Sequence, residues 1–229
     1  MRVVHLAGAL LLAAAVRGQA GWLPLSREVE QPFAAELGRW KSDAHTALRP
    51  YRLKELRALA RFDSLRPAAA LAALDRWSGA WNGRRTRWGP LLDLSANAAY
   101  DSAASAGFRS GAGAWVERDI GDRLTVHASG SAWLERLPPY LDSVAKATLV
   151  APGEGHAYRG PAYVGHHDWQ AYASWDAGRF FNFTAGRGKH FIGEGHRSLF
   201  LSDEATAYPY LRITTAVWRA RYQNLFMAL

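Results

Sequence analysis

Residues Arg123 to Glu135 alternate between apolar and polar for thirteen positions. Leu124, Val126, Ala128, Gly130, Ala132 and Leu134 fall on one parity. Arg123, Thr125, His127, Ser129, Ser131, Trp133 and Glu135 fall on the other. Successive side chains of a strand point to opposite faces, so the pattern predicts a ribbon with one apolar and one polar face. Typical soluble strands are about 5–6 residues long. A tilted membrane strand needs about 9–11. The length therefore favours a strand that crosses a bilayer over one in a soluble domain.

The same period recurs from Gly89 onward. Leu92, Leu94, Ala96, Ala98 and Tyr100 alternate with Asp93, Ser95 and Asn97. Phe108, Ser110, Ala112, Ala114 and Val116 alternate with Arg109, Gly111, Gly113, Trp115 and Glu117. Trp169, Ala171, Ala173 and Trp175 alternate with Gln170, Tyr172 and Ser174, and Phe181, Phe183 and Ala185 with Asn182, Thr184 and Gly186. Leu211, Ile213, Thr215 and Val217 form a further face, and the chain runs on through Tyr222 to Leu229. One parity is rich in Ala, Leu and aromatics, the other in Ser, Thr, Asn and charge. A barrel with lipid outside and water inside requires that division. The expected fold is all-β with N-terminal helices: an antiparallel transmembrane β-barrel, present in part as about six or seven strands. Bacterial barrels have an even number of strands, at least eight. The chain stops at Phe226 to Leu229 inside a strand, so 89–229 reads as the N-terminal part of a longer barrel.

The N-terminus points to the same compartment. Arg2 supplies a weak positive charge, Val3 to Val16 is almost wholly apolar, and Gly18-Gln19-Ala20 is a small-x-small cleavage site. Residues 1–20 read as a secretory signal peptide. The apolar run is shorter than the roughly 18 residues of a spanning helix, so any membrane crossing falls to strands. Residues 21–88 read as a small periplasmic helical region. Pro24 and Ser26 give a start signal with Glu28 and Glu30 in the first turn. Leu53, Leu56, Leu59 and Ala60 form one helical stripe, and Leu71, Leu74 and Trp77 another, with Pro50 and Pro67 as punctuation.

Loop lengths sort in a way a soluble sandwich has no reason to impose. Asp119 to Asp122 and Asp176 to Arg179 are tight turns, whereas 137–168 and 188–210 are long connections. If the first strand runs outward, both tight turns fall inside and both long loops outside, the usual outer-membrane arrangement. The chain has no cysteine, which argues against a disulfide-stapled extracellular domain. Its ten Trp, nine Tyr and nine Phe suit interfacial girdles. The formal charge of +8 falls to +6 without Arg2 and Arg17, with several cations between Arg76 and Arg87. That balance suits an acidic polysaccharide or lipopolysaccharide phosphates. Export excludes nucleic acid as a partner.

The densest group of chemically able residues runs from Gly186 to Asp203. Glycines at 186, 188, 193 and 195 permit sharp turns, and Arg187, Lys189, His190, Glu194, His196, Arg197 and Asp203 add charge and donors. Glu194 and Asp203 could form the carboxylate pair of a glycoside hydrolase, but ion pairing to Arg187 or Arg197 is the simpler expectation. His166, His167 and Asp168, with His156 or His196, could ligate a metal, yet adjacent histidines on a strand point opposite ways. The glycines lack the spacing of a dinucleotide loop. No enzyme activity, metal or cofactor is expected.

The stretch Gly186-Arg187-Gly188-Lys189-His190-Phe191-Ile192-Gly193-Glu194-Gly195-His196-Arg197-Ser198-Leu199-Phe200-Leu201-Ser202-Asp203, followed by Tyr208-Pro209-Tyr210-Leu211-Arg212, resembles the capsule assembly Wzi family, particularly its Bacteroidota-type members. Supporting matches are Ala44 to Tyr51, Pro152 to Gly155 and Trp218 to Phe226. The resemblance implies an outer-membrane barrel that holds capsular or other surface polysaccharide, with some relatives linked to gliding motility. It makes Arg187, Lys189, His190, Glu194, His196, Arg197, Asp203 and Tyr208 the candidate polysaccharide-binding residues. Trp115, Trp133 and Tyr172, on the polar parity, could stack on sugars; Trp169, Trp175, Phe181 and Phe183 read as lipid girdle. Arg109, Arg123, His127, Glu117 and Glu135 read as a cross-lumen ion network. The competing classes are a passive pore or structural barrel and a secreted β-sandwich hydrolase. The expected partners are surface polysaccharide and outer-membrane lipid.

Overall fold

The computed structural model describes residues 22, 25, 45, 47–52, 86–100, 104–121, 123–151, 155–160, 163–193, 198, 200–201, 206–218 and 220–228. Besides a two-residue strand β1 (Leu48–Arg49), the first long strands are β2 (Thr86–Tyr100), β3 (Ala104–Ile120) and β4 (Leu124–Arg136). A helix α1 (Pro139–Thr148) and a short hairpin β5 (Val150–Ala151) and β6 (Gly155–Arg159) follow. Then come β7 (Val164–Asp176), β8 (Phe181–Gly188), β9 (Phe191–Ile192), β10 (Tyr208–Val217) and β11 (Ala220–Met227). Seven strands pair antiparallel in the order β11-β10-β8-β7-β4-β3-β2. Among the described residues the sheet is open, with β2 and β11 at its edges. Six antiparallel pairings separate these edges, so both run in the same direction. No described helix is long and apolar enough to cross a membrane.

The two faces are inverted relative to a soluble sheet. Every described outward position of β3 from Phe108 to Ile120 is exposed, including Phe108, Val116 and Ile120. Ala128, Ala132 and Leu134 of β4, Leu92 and Leu94 of β2, and Trp169 and Trp175 of β7 are exposed likewise. The opposite parity is the buried one: Trp115 and Glu117, His127, His166, Tyr172 and Ser174, Asn182 and Thr184, Arg212 and Thr214. On β3, β4, β7 and β8 the alternation expected from sequence thus appears with its polar side inward.

Both long connections share one end. Residues 121–123, 177–180 and 218–219 connect strands at one end, and the short 101–103 with the long 137–163 and 189–207 connect them at the other. The first long connection is folded. Pro139 at the first helical position starts α1, Asp142 and Lys146 pair one turn apart at 2.8 Å, and Leu149 ends it in the left-handed region, its N–H donating to Ala145 O at 2.9 Å. Ala145, Ala151, Ala157 and Val164 pack with Leu137 into a small core. Strand β6 then pairs with the upper part of β7, from Ala157 opposite His166 to Arg159 opposite Val164, beyond the last β8 partner at Ala171. The hairpin therefore extends the wall where β8 stops.

At the short-turn end, Val217 pairs with Ala220 and encloses a two-residue turn. Trp218 there takes φ +54. Primed hairpin turns require that region and usually fill it with Asn or Gly. A bulky L-residue in it costs about 1–2 kcal/mol.

Of the helical stretch expected over 26–80, residues 48–49 are extended and Arg52 forms a bridge with Trp22. The remaining expected helix, including its stripes from Leu53 onward, lies outside the described residues, as does the signal peptide.

Glycines let the strands approach. A Cβ at Gly186 would lie 2.1 Å from the Ala171 carbonyl oxygen and 2.6 Å from Tyr172 Cα, both backbone atoms of β7. At Gly130 the nearest atom would be 3.9 Å away. Gly186→Ala is expected to destabilise the sheet by about 1–3 kcal/mol through overpacking, and Gly130→Ala to stay within about 0.5 kcal/mol of the parent. Thermal unfolding of the variants reads both, and equal midpoints for the two would contradict the assignment.

Candidate functional site

The buried inner face is organised around Glu117, whose side chain is 0% exposed. Its partners come from three strands. Arg87 of β2 donates to Oε1 at 2.5 Å, and the Tyr172 hydroxyl of β7 donates to Oε2 at 3.1 Å. His127 Nδ1 of β4, directly across from Glu117, stands 3.5 Å from Oε2. The His127 ring stacks on Tyr172 at 4.9 Å and beside Trp115 at 6.4 Å. Trp115 in turn lies over Gly89, where a Cβ would sit 2.9 Å from its indole nitrogen. A second row repeats the design nearer the long loops: His166 stacks on Trp133 at 5.0 Å, and Trp133 lies over Gly111. Small residues on one strand thus let rings from the next lie flat against the wall.

The charged residues expected to bridge the lumen pair instead with neighbouring strands. Arg87 reaches both Glu117 and Asp119, Arg109 reaches Asp93 at 2.7 Å, and His166 stands 3.6 Å from Glu135. Neighbours about 5 Å apart supply these contacts more readily than distant strands. Arg123 departs from the expectation altogether, lying exposed in the β3–β4 turn. Among the described residues no three His, Asp or Glu side chains converge on a metal-sized site, and His166 is buried while His167 is exposed.

An N-terminal segment lies on this inner face. Trp22 is buried edge-on to Tyr172 at 5.8 Å, with the Arg212 guanidinium 3.8 Å above its ring. Arg52 makes a two-pronged pair with Asp176 at 2.9 and 3.1 Å. Arg212 also donates to Pro50 O at 3.5 Å. Two sequence motifs some 140 residues apart meet here. Leu48 and Arg49 pair with Ile192 and Phe191, the Gly193 N–H donates to Ala47 O at 2.7 Å, and Arg49 donates to Gly193 O at 2.9 Å while covering the Phe191 ring. Gly193 holds φ +118, a conformation glycine reaches without a side-chain clash. Ser198 completes the tether: its hydroxyl donates to Ile192 O and accepts from the Phe200 and Leu201 N–H groups.

Four of the eight candidate binding residues are described. His190 and Tyr208 come together, the Tyr208 hydroxyl 3.3 Å from His190 Nδ1, and both are buried. Arg187 lies on the outward parity of β8, paired with Asp168 at 3.3 Å and stacked over Trp169. Lys189 is half-buried. Glu194, His196, Arg197 and Asp203 lie outside the described residues. Of the Glu117 cluster, Glu117 and His127 were foreseen in one ion network, and Trp115 and Tyr172 apart from it as sugar-stacking residues. The signal that joins them is the register, which sets His127 and Tyr172 side by side on the same parity. The chain matches no protein-family model, no curated protein and no solved structure.

Removing the Glu117 carboxylate with Glu117→Ala leaves Arg87, Tyr172 and His127 facing one another without it. Breaking a fully buried pair costs about 3–5 kcal/mol, and Arg87 keeps 30% of its side chain exposed, so about 2–3 kcal/mol is expected by denaturant unfolding. An unchanged midpoint would contradict the assigned role.

Burial, with the nearby Arg212 charge, lowers His190 from 6.5 to about 3. The unfolded chain therefore takes up a proton that the folded chain refuses, and stability falls as pH drops from about 6.5 towards 3. His190→Phe should flatten the acid limb of a stability-against-pH curve relative to the parent. Identical limbs would place His190 in water.

Proposed function

We propose that this chain forms the wall of an outer-membrane β-barrel that holds surface polysaccharide and performs no catalysis. The observation that carries the membrane part is the inverted sheet, polar face buried and apolar face bare. Fully burying a Leu or Phe is worth about 1.5–3 kcal/mol, and a contiguous apolar face of this extent in water is an association site. The outward column of β4 supports a bilayer over a protein partner. From Leu124 to Leu134 it carries no charge, and Arg136 follows. Ten residues at about 3.4 Å each make about 34 Å along the strand. Tilted by about 40°, that is near the 25 Å height of a barrel's apolar band. Since β2 and β11 run the same way, antiparallel closure of such a barrel takes an odd number of further strands.

The polysaccharide part rests on the resemblance of 186–212 to Wzi-type proteins and on the long connections gathered at one end. Filling of the inner face by Trp22 and residues 48–52 favours a holding role over an open pore. Three measurements check the proposal together. The protein should stay with membranes until detergent is added, conduct little in planar bilayers, and on gene deletion release capsule or exopolysaccharide into the medium. Unchanged retention of polysaccharide would overturn the holding role, and large steady conductance would favour a pore.

A further inference from the structure

The geometry points to a subsite for the sugar head of a glycolipid on the outward wall, formed by Arg187, Asp168 and Trp169 where the ladder beside β7 is interrupted. This rests on the reading that the outer face meets a bilayer, and it gives the holding role a ligand class. Strand β7 pairs with β6 from Val164 to His166 and with β8 from Ala171 to Asp176. Between those stretches, residues 167–170 pair with β4 alone among the described strands. Arg187 fills the interval with its side chain. Its guanidinium donates to the Trp169 carbonyl and to Asp168 Oδ1 at 3.3 Å, and it lies 4.5 Å from the centre of the Trp169 ring. Asp168 belongs to the inward parity of β7, so Arg187 reaches it through the interval.

The interruption lies inside the apolar band, not at its rim. Register sets Trp169 opposite Gly130, Asp168 opposite Ser131 and His167 opposite Ala132; Ala171, the partner of Arg187, stands opposite Ala128. The outward column of β4 runs without charge from Leu124 to Leu134, above and below these levels. A guanidinium on the lipid parity at that depth is costly, and ionisable groups kept within a membrane mark sites of function. The pair is also reachable. Arg187 keeps 22% of its side chain exposed and Asp168 9%, Trp169 leaves half its surface open, and His167 is exposed beside it. The two charges select the ligand. Arg187 brings donors and Asp168 brings acceptors. A sugar hydroxyl both donates and accepts, so neighbouring hydroxyls can meet both groups. A phosphate would be repelled by Asp168 while it met Arg187. A free saccharide stays in water, whereas one carried on an acyl tail reaches this depth with its tail along the apolar column.

The test embeds the full chain in phosphatidylcholine vesicles and adds a small mole fraction of dodecyl maltoside brominated on its tail. The emission difference between parent and Trp169→Phe reports the indole beside the pair. Brominated maltoside should quench that difference about fivefold more per molecule than brominated phosphatidylcholine does, the worth of one net hydrogen bond. The double variant Arg187→Leu, Asp168→Asn, read in the same way, should bring the ratio close to one. Trp175, exposed near the other end of the same β7 column, is the reference. Its own difference, from Trp175→Phe, should show no preference for the maltoside. A preference shared by Trp175 or kept by the double variant would overturn the subsite, and stronger quenching by brominated dodecyl phosphate would overturn the sugar head. Free maltose should leave the quenching unchanged; displacement of the probe by it would contradict a site reached only from the bilayer. A protein that washes off the vesicles in urea defeats the membrane reading and the subsite with it. One that stays embedded without preferring the maltoside defeats the subsite alone.

Discussion

Burial of the polar parity is the constraint on which the rest of the molecule depends. A carboxylate, several guanidinium groups and three imidazoles occupy one face of a single sheet. A buried charge there must find partners without water, because an unpaired one costs several kcal/mol. The antiparallel register supplies them to the carboxylates strand by strand, whereas both ring nitrogens of His127 and of His166 are buried without a hydrogen-bond partner and their rings stack on aromatic neighbours. Glu117 takes Arg87 from one neighbour and Tyr172 from two strands away, and Asp176 takes Arg52 and the Asn182 amide. The Asn182, Thr184 and Ser174 side chains then satisfy one another at 2.9–3.0 Å.

Ring stacking and glycine placement follow from the same constraint. Strands only about 5 Å apart cannot all carry inward-standing indoles. Trp115 leans onto Gly89 and Trp133 onto Gly111, and the space released lets His127 and His166 pack beside them. The leaning rings leave room for an N-terminal segment. Trp22 and residues 48–52 enter it and are fixed by Arg212, Asp176 and the Phe191–Gly193 turn. The segment is therefore tied both to the wall and to the second long connection.

The faces of the strands were legible because a period of two needs only the order of residues. The sorting of turns was legible because each connection's length can be counted. What stayed hidden depends on register. No local signal says that Arg109 pairs with Asp93 on β2 rather than with a more distant strand. The run from Gly186 to Asp203 reads as a binding loop from composition alone. Its Arg187 belongs to a strand and faces outward, and Phe191, Gly193 and Ser198 serve to hold the loop to Leu48 and Arg49. The resemblance between Ala44 to Tyr51 and its counterpart gave no hint that the two motifs touch. Contacts between residues 140 positions apart are set by the tertiary arrangement of the sheet, which local sequence does not encode.

The central claim is that lipid, not protein or water, meets the apolar parity. The chain has no cysteine, so single cysteines introduced in turn from 125 to 134 and spin-labelled can be read in reconstituted vesicles. Collision rates with oxygen, which concentrates in acyl chains, should rise at 126, 128, 130, 132 and 134 and fall at the positions between. Rates with a water-soluble nickel chelate should stay low at all outward sites. High nickel accessibility on the outward parity, or no alternation with oxygen, would contradict the account.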